Sequence, residues 1–418
     1  PMSWQQSFTG VVGSNLARSR PKNGIGPSAR FKGLDTDNLY NTTTGKFDVR
    51  FLEIRDAYLM QIELGVPYTA GVACPKMEYV KLTSYEKEAK CRLFIVNDVH
   101  VNQLLKMHLI PLYESMLLNF NLTGCAGIMN AGSQKWKEVL NRLLSCSHDN
   151  QSLQDSDFSH FDTSMRVIIE YYIQFHRLMF LKLGYNDNEV LCATRILRSA
   201  FNQIVNIRGD YVAFNYCMAS GRTDTLFGNC IVNLITYVYS YFYFCENMEI
   251  PKPIKFTDNL AYFFVGDDSV RSCKDKRFDN LYYAKVMTEL GYVITAASKE
   301  SVLQSFSHYS KVSFLKRGFL EYEGRVFAPL SEESIYKMLR YRIESEATDL
   351  EHARAVLETA QREFFLHGKK RFEEFRMEIS NIPYKHTKFE FDELLKSFDL
   401  GTYDTWNKEV VLDVLSLE

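Results

Sequence analysis

Three short runs of this sequence carry side chains that could do chemistry. The sharpest is Gly266-Asp267-Asp268, which ends an apolar run at 260–265 and precedes a short apolar return. Two adjacent carboxylates at a hairpin tip repel each other, and a divalent cation relieves that repulsion. Mg²⁺ is met by a few carboxylates together with phosphate oxygens and water. Upstream, Asp157-Phe158-Ser159-His160-Phe161-Asp162 stands just before an amphipathic stretch. A carboxylate leaving a strand there could face the Asp267 hairpin across a sheet, so that Asp157 and Asp267 together hold two metal ions. In-line phosphoryl transfer wants such a pair: one ion activates the attacking oxygen, the other stabilises the leaving oxygen. Between these runs, Ser220-Gly221-Arg222-Thr223-Asp224-Thr225 is a glycine loop that leads through Gly228-Asn229 into an uncharged stretch. Its Ser, Thr and Asn side chains suit a ribose, whose 2′-hydroxyl both donates and accepts and separates RNA from DNA units. Each run also has a plain structural reading. Asp favours turns without any metal. Asp157 or Asp162 can cap the helix that follows. Buried Ser, Thr and Asn can satisfy neighbouring backbone.

Periodicity predicts the elements that must hold these residues. The run at 260–265 reads as a buried strand, Gly266 ends it, and Ser269-Val270 starts a return strand. Residues 165–183 place Val167, Ile168, Tyr171, Tyr172, Phe175, Leu178 and Met179 at helical spacing. Residues 101–118 do the same through Leu104, Leu105, His108, Leu109 and Leu112, with Pro111 expected to kink or interrupt the helix. The uncharged stretch 226–245 mimics a membrane span, yet it contains Gly228, Asn229, Asn233, Thr236 and Ser240. Polar groups in hydrocarbon need partners, so a buried helix is expected there. Thr348 with Glu351, and Thr387 with Glu390, fit the capping-box spacing. From residue 331 onward the chain reads as a mostly helical subdomain. Helices followed by a hairpin give an α+β class.

Composition narrows the classes further. The chain has 418 residues, 46% hydrophobic and 24% charged, which excludes a disordered protein. With 21 Gly and 10 Pro it is not collagen-like. The length allows two or three domains, but no repeat or long linker separates them, so one body with subdomains is expected. The net charge of -2 places any polyanion contact on local clusters. Arg18, Arg20, Lys22, Arg30 and Lys32 form one such cluster, either a solvated arm or a basic arm along a nucleic-acid channel. Nine scattered cysteines, an odd number with no C-x-x-C pair, fit a reducing compartment rather than a disulfide framework or zinc site. Pro1 before Met2 reads as a remnant of tag removal, and no signal-peptide pattern follows it.

In order and spacing, these runs resemble the RNA-dependent RNA polymerases of positive-strand RNA viruses, most nearly the picornavirus-like group. Motif A of that family, D-x4-D, matches Asp157 and Asp162; motif B, S-G-x3-T-x3-N, matches Ser220, Gly221, Thr225 and Asn229; motif C matches Gly266, Asp267 and Asp268. The looser motifs D, E and F match residues 291–299, Phe314-Leu315-Lys316-Arg317, and the basic run with Lys87, Lys90 and Arg92. Motif G is faint, with Gly26-Pro27-Ser28 as its candidate. Gly228 before Asn229 looks more like the tombusvirus and nodavirus side, whereas F-L-K-R looks picornavirus-like.

The resemblance implies an α+β right-hand fold with an antiparallel palm sheet backed by helices and a helical thumb. Residues 1–150 would be mainly fingers, 151–325 palm with a finger-type insertion around 188–215, and 326–418 thumb. It implies template-directed RNA synthesis from ribonucleoside triphosphates by two-metal nucleotidyl transfer, replicating a viral genome. Asp157 and Asp267 would hold two Mg²⁺ ions, with Asp268 assisting and Mn²⁺ able to substitute. Asp162, Ser220 and Asn229 would meet the ribose of the incoming nucleotide, with Thr225 in support and Gly221 also in the nucleotide site. Lys87, Lys90 and Arg92 would grip its triphosphate, and Lys299 would protonate the leaving pyrophosphate. Lys316 and Arg317 would contact the strand backbone. The implied partners are an RNA template, a primer or product strand, other viral replication proteins and a protein primer. The implied place is the host cytoplasm at membrane-associated replication complexes, with no transmembrane segment in the chain itself. Two rivals stand beside this reading. A reverse transcriptase shares the metal carboxylates, although the Asp162 and Asn229 ribose pair argues against it. A non-catalytic RNA-binding scaffold would have lost metal carboxylates, and all three are present.

Overall fold

The computed structural model describes residues 1–10, 25–35, 38–41, 43–65, 68–76, 92–127, 129–297, 302–342, 347–382 and 388–403. Along the first part run α1 (Trp4–Thr9), α2 (Gly26–Phe31), β1 (Tyr40–Asn41), β2 (Lys46–Phe47), α3 (Val49–Glu63), β3 (Thr69–Pro75), β4 (Leu93–Asn97), α4 (Val99–Leu118), α5 (Phe120–Thr123) and α6 (Lys135–Ser145). The middle holds β5 (Ser152–Ser159), α7 (Ile169–Lys182), α8 (Asp187–Ala200), β6 (Gln203–Ile207), β7 (Asp210–Phe214), α9 (Thr225–Asn247), β8 (Leu260–Val265), β9 (Asp268–Cys273), α10 (Asn280–Glu289), β10 (Val293–Thr295) and β11 (Ser307–His308). The last part is β12 (Leu320–Tyr322), β13 (Arg325–Phe327), α11 (Glu332–Arg340), α12 (Asp349–Phe365), α13 (Lys369–Glu378) and α14 (Phe391–Asp399). The class is mixed α+β.

An antiparallel sheet in the order β10-β5-β9-β8 lies at the centre, with β11 also pairing β5. Strand β8 is a continuous apolar run because both of its faces are covered. Leu260, Tyr262 and Phe264 face one core, shared with helices α4, α7 and α9. Ala261 and Phe263 face the other, shared with Trp136, Val139, Leu140 and Leu143 of α6. Fully burying each such large side chain stabilises the fold by about 1.5–3 kcal/mol. The strand expected at 260–265 is the strand observed. Its return begins at Asp268, one residue earlier than expected.

A second sheet has the order β4-β3-β6-β7, with β3 parallel to β6 and the other pairs antiparallel. It draws the hairpin at 203–214 out of the middle of the chain and onto strands from the first hundred residues. The C-terminal helices close over their own core of Phe364, Phe365, Phe372, Phe391 and Phe398.

Three helical expectations need adjustment. Helix α4 runs uninterrupted through Pro111. A proline leaves the carbonyl four residues back without its donor, and the Met2 N–H fills that place on Met107 O at 2.9 Å. Helix α7 starts at Ile169 rather than at 165, because residues 166–168 form a turn after Met165. Thr348 and Glu351 do form a capping box on α12. At the second candidate box, Glu390 is itself the residue that precedes α14, and its carboxylate accepts both Arg376 Nη1 and Nη2 at 2.8 Å. Thr387 lies outside the described residues.

Candidate active site

Strand β5 brings Asp157 to one end of the central sheet. Its register pairs Ser156 with Ser269 on β9, and Thr295 of β10 lies opposite Asp157 on the other side. Side chains alternate along a strand. Gln154, Ser156 and Phe158 are buried against the helices, which sends Asp155 and Asp157 to the opposite face. The Phe158 N–H donates to Asp157 Oδ1 at 2.9 Å. After the strand, His160 takes φ +58° and Asp162 sits in a short 3₁₀ turn, Phe161–Thr163. Neither Asp157 nor Asp162 caps α7, whose first flanking residue is Ile168.

Gly266 and Asp267 form the two-residue turn between β8 and β9, where Val265 pairs with Asp268. Gly266 takes φ +63°, a conformation that a hairpin turn of this length needs and glycine adopts without strain. Helix α9 grips the turn from beneath. The Gly266 N–H donates to Cys230 Sγ at 3.3 Å, and Asn233 Nδ2 donates to Gly266 O at 2.7 Å. The sequence reading missed Cys230 and Asn233 in this role. Asn229 and Asn233 stand one helical turn apart on one face, which was the available signal.

The carboxylates of this cluster perturb one another. Asp267 is exposed at the turn, yet partial desolvation by the surrounding protein pushes its carboxyl above the ordinary value, and nearby Asp157 and Asp162 push it the same way. The Arg92 guanidinium opposes that shift. Burial likewise raises Asp162, with His160 and Arg92 drawing it back. The structure therefore gathers Asp157, Asp162, Asp267 and Arg92 within electrostatic range. Lys87, Lys90 and Lys299 lie outside the described residues.

The Ser220 loop is fixed on three sides. The Ile95 N–H of β4 donates to Ser220 O at 2.9 Å, and the Met218 N–H donates to Asp162 O at 2.8 Å. Gly221 takes φ +108°, and a Cβ there would fall 2.2 Å from Ile95 O, so only glycine fits. Thr225 Oγ1 donates to Ala219 O and Arg222 O, each at 3.0 Å, and so closes the loop on itself. Asn229 is buried, and its Oδ1 has no hydrogen-bond donor among the described residues.

Phe314 and Arg317 exchange two backbone hydrogen bonds of 2.9 Å, with Leu315 at φ +57° and Lys316 at φ +58° forming the tip. The tip presents Lys316, while Arg317 turns away from it. The Arg317 guanidinium makes two 2.8 Å bonds to Glu363 of α12 and one of 2.9 Å to Ala328 O. Gly26-Pro27-Ser28 opens α2, and Ser28 donates its N–H and hydroxyl to buried Asp98 at 2.8 and 2.6 Å.

Hard carboxylate oxygens are the donors Mg²⁺ selects. Among the described residues no three acidic, imidazole or thiol groups already converge on one point. Mg²⁺ usually takes only one or two carboxylates and completes its shell with phosphate and water. Carboxylates that repel one another across the end of a sheet fit that demand.

A profile of the viral RNA-dependent RNA polymerase family matches residues 55–378, which span the central sheet and the Ser220 loop. The chain belongs to that family. One relative is the RNA1 polyprotein of Tomato ringspot virus (isolate raspberry), 28% identical over 317 residues, covering 74% of this chain and 14% of that protein. Another is the replicase polyprotein of Drosophila C virus (strain EB), 27% identical over 305 residues, covering 69% and 17%. The RNA1 polyprotein of Cowpea mosaic virus (strain SB) is 22% identical over 326 residues, covering 75% and 17%. They place the chain with the picornavirus-like polymerases that its motifs resemble. The chain spans about a seventh of the length of the curated relatives it matches.

Proposed function

We propose that this chain joins ribonucleoside triphosphates on an RNA template, releases pyrophosphate, and so copies a viral RNA genome. The observation that carries the reading is the gathering of Asp157, Asp162 and Asp267 at one end of the antiparallel sheet, where the Arg92 charge acts on Asp162 and Asp267. Asp157 and Asp267, with Asp268 beside them, would hold two Mg²⁺ ions, which when bound neutralise charge on the transferred phosphate. Mn²⁺ would substitute. Arg92, joined by Lys87 and Lys90, would pair with the triphosphate through charge-assisted bonds. Asp162, Ser220 and Asn229 would meet the ribose, and the donor-less Asn229 Oδ1 supports that role. Lys299 would give the leaving pyrophosphate its proton.

In this reading the central sheet is the palm, residues 151–325, and residues 1–150 are mainly fingers. The pairing of β6 with β3 supports a finger-type insertion around 188–215. The helices from 326 to 418 form the thumb. Lys316, at a strained hairpin tip, would touch the strand backbone. Other viral replication proteins and a protein primer would be partners, at membrane-associated complexes in the host cytoplasm. No helix among the described residues is long and apolar enough to cross a membrane.

The test is ribonucleotide incorporation on a primed RNA template with Mg²⁺, beside Asp267→Ala. Incorporation by the parent and none by a folded variant is the expected result. Failure of the parent on every primed RNA template, with Mg²⁺ or Mn²⁺, overturns the reading.

A further inference from the structure

A buried ion pair lies under the Ser220 loop at two of the positions the family motif leaves open. The Arg222 and Asp224 side chains are 1% and 0% exposed. Arg222 Nε donates to Asp224 Oδ1 at 2.9 Å and Nη2 to Oδ2 at 2.6 Å. Nη1 donates to Ala200 O, at the end of α8, at 3.1 Å. The guanidinium lies over the Phe201 ring, 4.3 Å from its centroid. From the other side, the Tyr172 hydroxyl of α7 donates to Asp224 Oδ2 at 3.2 Å. Gly228 makes room for that hydroxyl, since a Cβ there would lie 2.9 Å from it.

Stability alone does not explain this pair. Desolvating two charges costs as much as their attraction returns, and well-packed apolar replacements are often as stable. What the pair supplies is direction. Its fork of hydrogen bonds fixes one path for the backbone from Ala219 to Thr225. Along that path, Ser220 is tied to Ile95, and the preceding Met218 is tied to the backbone of Asp162. The ion pair, the Ser220 loop and Asp162 therefore form one hydrogen-bonded frame.

We infer that Arg222 and Asp224 are positioning residues that hold the Ser220 loop and Asp162 in register for a ribose, and thereby set the preference for ribonucleoside over 2′-deoxyribonucleoside triphosphates. The inference rests on the polymerase reading. Neither side chain touches substrate, because both are sealed beneath the loop.

The experiment measures kcat and KM for one ribonucleoside triphosphate and its 2′-deoxy counterpart, together with Tm, on the whole chain. The variants are Arg222→Met with Asp224→Leu, Arg222→Lys, and Tyr172→Phe. The double variant removes both charges and keeps the buried space filled by apolar side chains. It is expected to melt cooperatively and to lose about tenfold or more of the ribose preference, since displacements of about 1 Å cost factors on the order of a hundred. Arg222→Lys should recover part of that preference. Tyr172→Phe should lose less of it, and it decides the matter if the double variant does not fold. A parental preference in these variants overturns the inference, as does an equal fall for both sugars that tracks Tm. A parent that incorporates neither sugar ends the polymerase reading and the inference together. An active parent with unmoved variants ends the inference alone.

Discussion

Asn233 Nδ2 sits 2.7 Å from Gly266 O and 3.5 Å from Asp267 O, so one amide spans the turn that carries the candidate metal carboxylate. Replacing it by Leu leaves the Gly266 carbonyl buried without its donor, at a cost of about 1–3 kcal/mol. Of the hydrogen bonds from α9 to the turn among the described residues, that of Cys230 then remains. Asn233→Leu is expected to lower turnover and to raise the Mg²⁺ concentration needed for half-maximal incorporation, and a Mg²⁺ titration beside a thermal melt checks this. An unmoved Mg²⁺ requirement in a folded variant counts against the anchoring role. Asp157, Asp162, Ser220, Asn229 and Asp267 were legible as candidates because residue type and short spacing mark them and match the family's motifs. Asn233 was not, because a hydrogen bond to a turn more than thirty residues away leaves no local pattern. The same holds for Arg222 and Asp224, whose shared burial appears only when α7 and α8 close over them.

Between α2 and α4 a buried carboxylate replaces an ordinary cap. Asp98 stands just before α4, is 2% exposed, and accepts the N–H and hydroxyl of Ser28 in the first turn of α2. Gly26 allows the approach, since a Cβ there would fall 2.5 Å from Asp98 Cα. Burial lifts the Asp98 carboxyl from 3.8 to about 6, against the two Ser28 bonds that lower it. Between those values the folded chain keeps a proton that the unfolded chain has released. Its contribution to stability therefore falls as pH rises from about 4 to about 6, and the full cost of about 3 kcal/mol stays above that. Asp98→Asn removes the charge, so it should gain stability on the parent as pH rises from 4 to 7. Urea melts of both proteins at each pH measure the difference, and a difference level across the range refutes the assignment. At this scale the sequence was legible where a local pattern decides, as in the apolar run of β8 and the uncharged, polar-dotted stretch of α9. It was not legible where a distant partner takes part: α4 is not interrupted at Pro111, and the Met2 N–H takes up the carbonyl that Pro111 leaves without its donor.

For the whole molecule, the α+β class followed from helical periodicities set beside one hairpin. The parallel pairing of β3 with β6 had no such signal, because no local pattern names a strand's partner across more than a hundred residues. The join between the central body and the C-terminal helices likewise had no local signal. Arg317 was expected on RNA, but its guanidinium is half-buried and bidentate to Glu363, which ties the Phe314–Arg317 turn to α12. Lys316, one residue before it, is exposed at the tip, with no such carboxylate partner among the described residues. The two residues should therefore separate in experiment. Arg317→Met and Glu363→Met should each lower stability by about 1–3 kcal/mol, and the double variant should recover part of the loss, as coupled partners do. Lys316→Ala should leave Tm unchanged, weaken RNA binding, and reduce the salt dependence of log K by about one phosphate contact. Melts of the double-mutant cycle and RNA titrations at several salt concentrations read both effects. If Arg317→Met instead flattens the salt dependence without moving Tm, the guanidinium leaves Glu363 for the strand when RNA is bound, and the join between body and C-terminal helices opens with it.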